Sequence, residues 1–306
     1  MNREEFLKLS NNEVALFVQQ HGPKVCIFFS NRTRRWFLSE QGGSQAPYFS
    51  SYIDASAKRL ASIFRMFFEL GITTLVLPVL SEDLNRRGEE YVHQIAKSLP
   101  QFLNHEILQS FYQENGVRVR FFGEQFEQFK SNVPPLRDFF DHVAQQTQDH
   151  QAYRIFYGMS AGRPIETVAS LSVKFFQANG FVPDHKALTQ MYFGEELPFA
   201  ELFISSGKLY VADLPLLLDT RTQLYYCVAP SFFMTEAQLR EILYDFMFSR
   251  RTGTKQYETL PLDEWRKMAQ YFGENQNKTI GIGEQKDAWG LWYPIAHPIS
   301  PPDEQA

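Results

Sequence analysis

The residues best equipped for chemistry lie in one short run, SNRTRRWF. Arg32, Arg34 and Arg35 stand within four residues of one another, flanked by Asn31, Thr33 and Trp36. Guanidinium forks match phosphate oxygens two at a time, so arginines beside backbone donors suit the grip of a phosphate or diphosphate. The bland alternative is a solvated basic turn. A second run, SEDLNRRGEEY, carries Glu82, Asp83, Arg86, Arg87 and Tyr91; its acids also suit an exposed helix start, where negative charge complements the helix dipole. A third, YRIFYGMSAGRPIETVASL, spells Gly158-Met159-Ser160-Ala161-Gly162 between strand-like and helix-like residues. That is the pattern of a nucleophile elbow, whose triad Asp213 or Asp219 and His297 would complete. Against it, His297 lies among prolines near the chain end, and no upstream glycine cluster offers an oxyanion loop.

Each run follows a strand candidate. Short β-rich segments, Val25 to Phe29, Thr74 to Val79, Val117 to Phe122, Tyr153 to Tyr157, Leu202 to Ser205 and Leu224 to Val228, alternate with longer stretches of helical period. This order predicts one α/β domain with a mainly parallel central sheet flanked by helices. Ile53, Ala57, Leu60, Phe64 and Phe67 recur at steps of three and four, a helix stripe that stops at Gly71. A second helix follows Thr235 as N-cap, with Leu239, Ile242, Leu243 and Phe246 on its buried face. In such sheets ligands collect outside the carboxyl ends of strands, which is where all three runs fall.

Composition narrows the classes. The chain has 306 residues, with 30 Lys and Arg against 35 Asp and Glu, a net charge of −5 that provides no field to attract nucleic acid or anionic membrane. Cys26 and Cys227 each sit in an apolar run, so a reducing, cytoplasmic setting is expected rather than a disulfide framework. There is no signal-like N-terminal stretch, Walker motif, GxGxxG opening a helix, HExxH or paired-cysteine spacing, and the seven histidines lack ligand spacing. GIG at Gly281 to Gly283 reads as a turn. Aromatic residues make up 15%, which suits either a ring-packed core or a pocket lined with aromatic faces.

GPKVCIFFSNRTRRWF resembles the first strand and diphosphate loop of the cis-prenyltransferase superfamily, whose loop reads DGNGRW. It is closer to a divergent branch, the tuberculosinol synthase type of diterpene synthase, whose loop reads DGTRRWF. The likeness continues in FELGI, in SEDLNRRGEEY, in LYYCVAPSFFMTEAQLREILYD and in GIGEQKDAWGLW. The resemblance implies a cis-prenyltransferase-like domain over residues 1–297 and a flexible tail over 298–306. Arg34 and Arg35 would act on the diphosphate, Tyr52 and Tyr91 would line the reacting end, and Asn31, Arg32, Thr33 and Trp36 would contact substrate. Gly162 to Glu166 falls where the superfamily carries GGRxEI, a second account of the GMSAG spelling.

Two departures alter the implied chemistry. The superfamily's loop aspartate, a magnesium-site residue, is Asn31 here, and the following glycine is Arg32. The segment that binds a second diphosphate, RxSGExRxS, corresponds to ISSGKLYVADLPL, which lacks its arginines and glutamate. The resemblance therefore implies an enzyme, with Mg2+ as cofactor, that ionises one allylic diphosphate and adds water. Its substrate would be a bicyclic C20 diphosphate of kolavenyl type, with a halimane diphosphate as the alternative, and its products a diterpene alcohol and pyrophosphate. A class II diterpene cyclase would have to supply that substrate, because the DxDD segment of protonation-driven cyclisation is missing. A homodimer through Leu224 to Phe248 is also implied. Two rivals of other classes are a serine hydrolase using Ser160 and a non-catalytic polyprenyl diphosphate binder.

Overall fold

Apolar runs without polar alternation form the middle of a sheet because both of their faces are covered. The computed structural model describes residues 1–40, 48–80, 98–123, 134–159, 164–210, 214–250, 260–286 and 290–295. In it, β1 (Val25–Phe28) is buried at every position. The strands run in the order β3 (Val117–Phe122), β4 (Tyr153–Met159), β2 (Thr74–Leu80), β1, β5 (Leu202–Ser206) and β6 (Gln223–Cys227), and every pairing is parallel. All the expected strands are present, their ends displaced by a residue or two.

Alternate residues divide between two apolar layers, as a period of two requires. Cys26, Phe28, Leu75, Leu77, Ile155 and Tyr157 face the larger layer, while Val25, Ile27, Val76, Phe156 and Phe203 face the smaller. The helices are α1 (Arg3–Leu7), α2 (Asn11–His21), α3 (Thr33–Glu40), α4 (Tyr48–Glu69), α5 (Glu106–Glu114), α6 (Pro134–Gln146), α7 (Pro164–Asn179), α8 (His185–Phe193), α9 (Glu236–Tyr244) and α10 (Leu262–Asn275). α4 covers the larger layer. Its stripe Ile53, Ala57, Leu60, Phe64 and Phe67 is buried, and the ring of Phe67 lies 5.4 Å from that of Phe28. Most of the aromatic residues in the strands and in α4 pack this core.

Thr235 caps α9 in a capping box with Gln238, and Leu239, Ile242 and Leu243 are buried beneath it. Phe246 is buried one turn further, where the helix loosens into a π turn at Asp245–Ser249. Cys26 is buried and Cys227 half-buried, because β6 is the sheet's edge, and both thiols are free. A hairpin of β7 (Gly283–Gln285) and β8 (Trp292–Pro294) was not legible beforehand, since three-residue strands carry too little pattern to detect. Gly281, at φ +99°, is the expected turn glycine. The tail, 298–306, lies outside the described residues.

The topology selects one place for a ligand. From β1 the chain goes to β2 on one side, whereas β5 occupies the other side of β1 and leads outward to β6. The direction of winding therefore reverses between β1 and β5, and the crevice outside their carboxyl ends is where an open α/β sheet takes ligands.

Gly71 ends α4 at φ +94°, and a Cβ there would lie 2.8 Å from the carbonyl oxygen of Ala15 in α2. Both the left-handed backbone and this close approach exclude a side chain. Gly71→Ala is expected to destabilise the fold by roughly 2 kcal/mol, read as a lower urea midpoint at unchanged slope. A midpoint equal to wild type would show that the junction of α2 and α4 has slack.

Candidate active site

The carboxyl end of β1 runs straight into the arginine cluster. Phe29 N–H continues the ladder onto the carbonyl of Ile204 (2.8 Å), and Asn31 N–H turns back onto that of Phe29 (2.8 Å). Arg32 then adopts φ +60°, the left-handed region, and its carbonyl accepts the first bonds of α3, from Arg35 N–H (3.0 Å) and Trp36 N–H (3.1 Å). A non-glycine residue in that conformation costs about 1 kcal/mol and persists only where its surroundings demand it.

α3 is amphipathic over its first turns. Trp36 and Phe37 are buried, while Arg34 and Arg35 lie on the exposed side. The Trp36 ring meets Phe232 edge-on at 5.2 Å, and Phe37 meets Tyr52 edge-on at 5.5 Å. The Tyr52 hydroxyl is 2.6 Å from Thr33 Oγ1. The structure thus brings Asn31, Arg32, Thr33, Arg34, Arg35, Trp36 and Tyr52 together at the switch point.

Asn31 is the staple beneath the loop. Its Oδ1 accepts from the hydroxyls of Ser231 (2.8 Å) and Ser206. Its Nδ2 donates to the Ser206 carbonyl (2.9 Å) and to Ser205 Oγ (3.3 Å). Two lone pairs and two hydrogens exhaust what an amide can do. Although expected as a substrate contact, Asn31 in this structure directs its side chain entirely to protein partners. Ser206 and Ser231, which sequence reasoning missed, are the polar groups that hold it. No sequence signal links Ser231 to Asn31, because the two are separated by 200 residues.

Three cationic side chains stand above this staple. The Arg32 guanidinium packs against Gly207, where any Cβ would collide with it. Burial lowers its pKa, and the nearby charge of Arg35 lowers it further. Neither Arg32 nor Arg35 forms an ion pair with a carboxylate among the described residues. Like charges gathered at a strand exit and helix start favour an anion there.

The remaining expectations fall elsewhere. Tyr91, Ser160, Asp213 and His297, with Glu82, Asp83, Arg86 and Arg87, lie outside the described residues. Asp219 precedes the amino end of β6 and pairs with Arg221 at 2.6 Å, whereas a nucleophile elbow after β4 would stand at the carboxyl ends of these parallel strands, and β2, β1 and β5 separate β4 from β6. A cavity of about 690 Å³ opens between β6, α10 and the β7–β8 hairpin, with Gly207 on its wall, but none of residues 31–37 lines it.

Comparisons with known proteins bear on the fold and the family. No family model matches the chain. Two solved structures share the fold: lavandulyl diphosphate synthase from Lavandula x intermedia, in complex with dimethylallyl diphosphate, and a probable undecaprenyl diphosphate synthase from Campylobacter jejuni. The first has a TM-score of 0.61 at 17% identity, over 79% of this chain and 98% of that one. The second has 0.55 at 17% identity, over 74% and 96%. The architecture is that of a cis-prenyltransferase. Tuberculosinyl adenosine transferase of Mycobacterium tuberculosis is 32% identical over 96% of this chain and 98% of its own length. (+)-Kolavelool synthase of Herpetosiphon aurantiacus is 27% identical over 90% and 91%. The chain belongs to the tuberculosinol synthase-type family within the cis-prenyltransferase superfamily.

The magnesium ion that the superfamily resemblance implies finds no fitting donor set among the described residues. A neutral amide with both lone pairs engaged stands where a carboxylate would serve the ion. No cluster of three acidic, histidine or cysteine ligands occurs among the described residues. Nor is any described helix long and apolar enough to cross a membrane.

Asn31→Asp tests the staple. It replaces two N–H donors by acceptors and sets a carboxylate against the Ser206 carbonyl, so thermal unfolding should show a loss of about 2 kcal/mol. Stability equal to wild type would mean that the Ser206 carbonyl does not depend on Nδ2.

Proposed function

We propose that this protein is a diterpene synthase that ionises a bicyclic C20 allylic diphosphate. The observation that carries the reading is the gathering of Arg32, Arg34 and Arg35 at the β1/β5 switch point, with no carboxylate paired to Arg32 or Arg35 among the described residues, in a chain of this family. The guanidiniums bind the diphosphate and stabilise charge as the allylic C–O bond breaks and its electron pair leaves with the phosphate oxygen. Water oxygen then bonds to the tertiary allylic carbon, and its proton passes to the departing pyrophosphate. The products are a diterpene alcohol and pyrophosphate. Tyr52, held by Thr33, orients the water as a neutral phenol, and Tyr91 lines the same end. Supply of the bicyclic substrate requires a separate protonation-driven cyclase of class II.

Loss of the second diphosphate site supports this reading. In ISSGKLYVADLPL, Ser205 and Ser206 bind Asn31, and Arg32 covers Gly207. A second reading, transfer of the allylic group to a nucleoside as in the name of the mycobacterial relative, is favoured by the 690 Å³ cavity next to Gly207. Its aromatic rings, Tyr225, Tyr226 and Trp292, and the amides of Asn275 and Gln276 suit a flat heterocycle.

The two readings separate in one assay. C15 and C20 allylic diphosphates, offered with and without adenosine, should release pyrophosphate and give an alcohol by mass spectrometry. A product that forms only with adenosine selects the transferase, and binding without pyrophosphate release selects the non-catalytic binder. Arg35→Ala should lower kcat by about a hundredfold, roughly 3 kcal/mol of barrier. Near-normal turnover would take Arg35 out of the mechanism.

A homodimer completes the proposal. β6 is the edge strand of the described sheet, and Val228 beside it and Leu262, Trp265 and Phe272 on α10 are exposed apolar residues. Light scattering after gel filtration should return twice the chain mass of 35.7 kDa; the single mass would refute the dimer.

A further inference from the structure

α4 offers the arginine loop more than Tyr52. Seven residues on, and so on the same helix face, Arg59 lies half-buried and points at the turn that follows β6. Its Nε donates to the carbonyl of Phe232 (2.6 Å) and its Nη2 to that of Met234 (2.5 Å). These carbonyls belong to the short 3-10 turn Ser231–Phe233 and to Met234, which caps it. The partners are neutral backbone oxygens, so Arg59 works here as a rigid two-pronged hook on the main chain. Burial lowers its pKa, and the charge of Glu40, the last residue of α3, opposes that shift.

The hooked turn is the one that holds the arginine loop. Ser231 meets Asn31 through its hydroxyl, which binds Oδ1 (2.8 Å) and the backbone N–H (3.1 Å), and through its own N–H on the Asn31 carbonyl (3.4 Å). Phe232 supplies the ring against Trp36. Asn31 and Trp36 bracket Arg32, Thr33, Arg34 and Arg35. Hydrogen bonds of this kind weaken steeply beyond about 3.5 Å, so a drift of the turn by an ångström would release the loop.

We propose that Arg59 is a positioning residue, which ties the 231–234 turn to α4 and, through Ser231 and Phe232, sets the place of the guanidiniums on α3. The inference rests on the reading of residues 32–35 as the diphosphate site. No motif marks Arg59, which lies among ordinary helix residues 24 positions after Arg35.

Amide hydrogen exchange on the full chain tests the tether without reference to activity, and calorimetric titration with inorganic pyrophosphate tests its effect on the site. In Arg59→Met, segments 29–37 and 229–236 should both exchange about fivefold faster while β3 and β4 keep wild-type rates. Pyrophosphate affinity should fall about tenfold, with Arg59→Lys between the two because it keeps the charge and loses the fork. Ser231→Ala, which cuts the next link, should loosen 29–37 with Arg59 intact. Faster exchange confined to 229–236, with pyrophosphate affinity unchanged, overturns the proposal. If Arg59→Met fails to fold, wild-type exchange at 29–37 in Arg59→Lys overturns it equally. A wild-type protein that binds no pyrophosphate, with Arg35→Ala indistinguishable from it, overturns the diphosphate reading while the exchange response still decides the tether.

Discussion

The site depends on one saturated amide. Asn31 joins three segments that are remote in sequence, the exit of β1, the exit of β5 and the turn before α9. It does so where the winding of the sheet reverses and the strand ends would otherwise splay apart. Because each donor and acceptor has a partner, the junction has a single satisfied arrangement, and a polar group left unmatched there would carry the full penalty of burial. This junction fixes the start of α3.

From that start, helix geometry does the rest. Trp36 and Phe37 are drawn into the core against Phe232 and Tyr52, and Arg34 and Arg35 are carried to the outer side. Arg32 takes the remaining direction through its left-handed backbone and lies on Gly207. Three like charges are thereby gathered by apolar anchoring and backbone geometry, with no carboxylate paired to Arg32 or Arg35 among the described residues. Such an arrangement suits an anion carrying more than one charge.

The departures from the superfamily pattern form one connected change. The residue standing in place of the loop aspartate is bound by the serines of the segment that would hold a second diphosphate, and the residue standing in place of the loop glycine covers that segment's own glycine. An aspartate at 31 would set a carboxylate against the Ser206 carbonyl.

Strands, the α4 stripe, the Thr235 cap and the arginine run were readable from local order, because burial on two faces, a period of 3.6 and capping chemistry act over a few residues. The family signature was equally local. The partners of Asn31, the placement of Arg32 over Gly207 and the hook of Arg59 on the 231–234 turn were not readable, since each is a contact between segments that only the sheet order brings together. Asp219 shows the same limit from the other side: sequence order allowed it in one triad with Ser160, and the sheet sets three strands between β6, which Asp219 precedes, and β4. Residue type determined what chemistry was available, and strand order decided which of those residues meet.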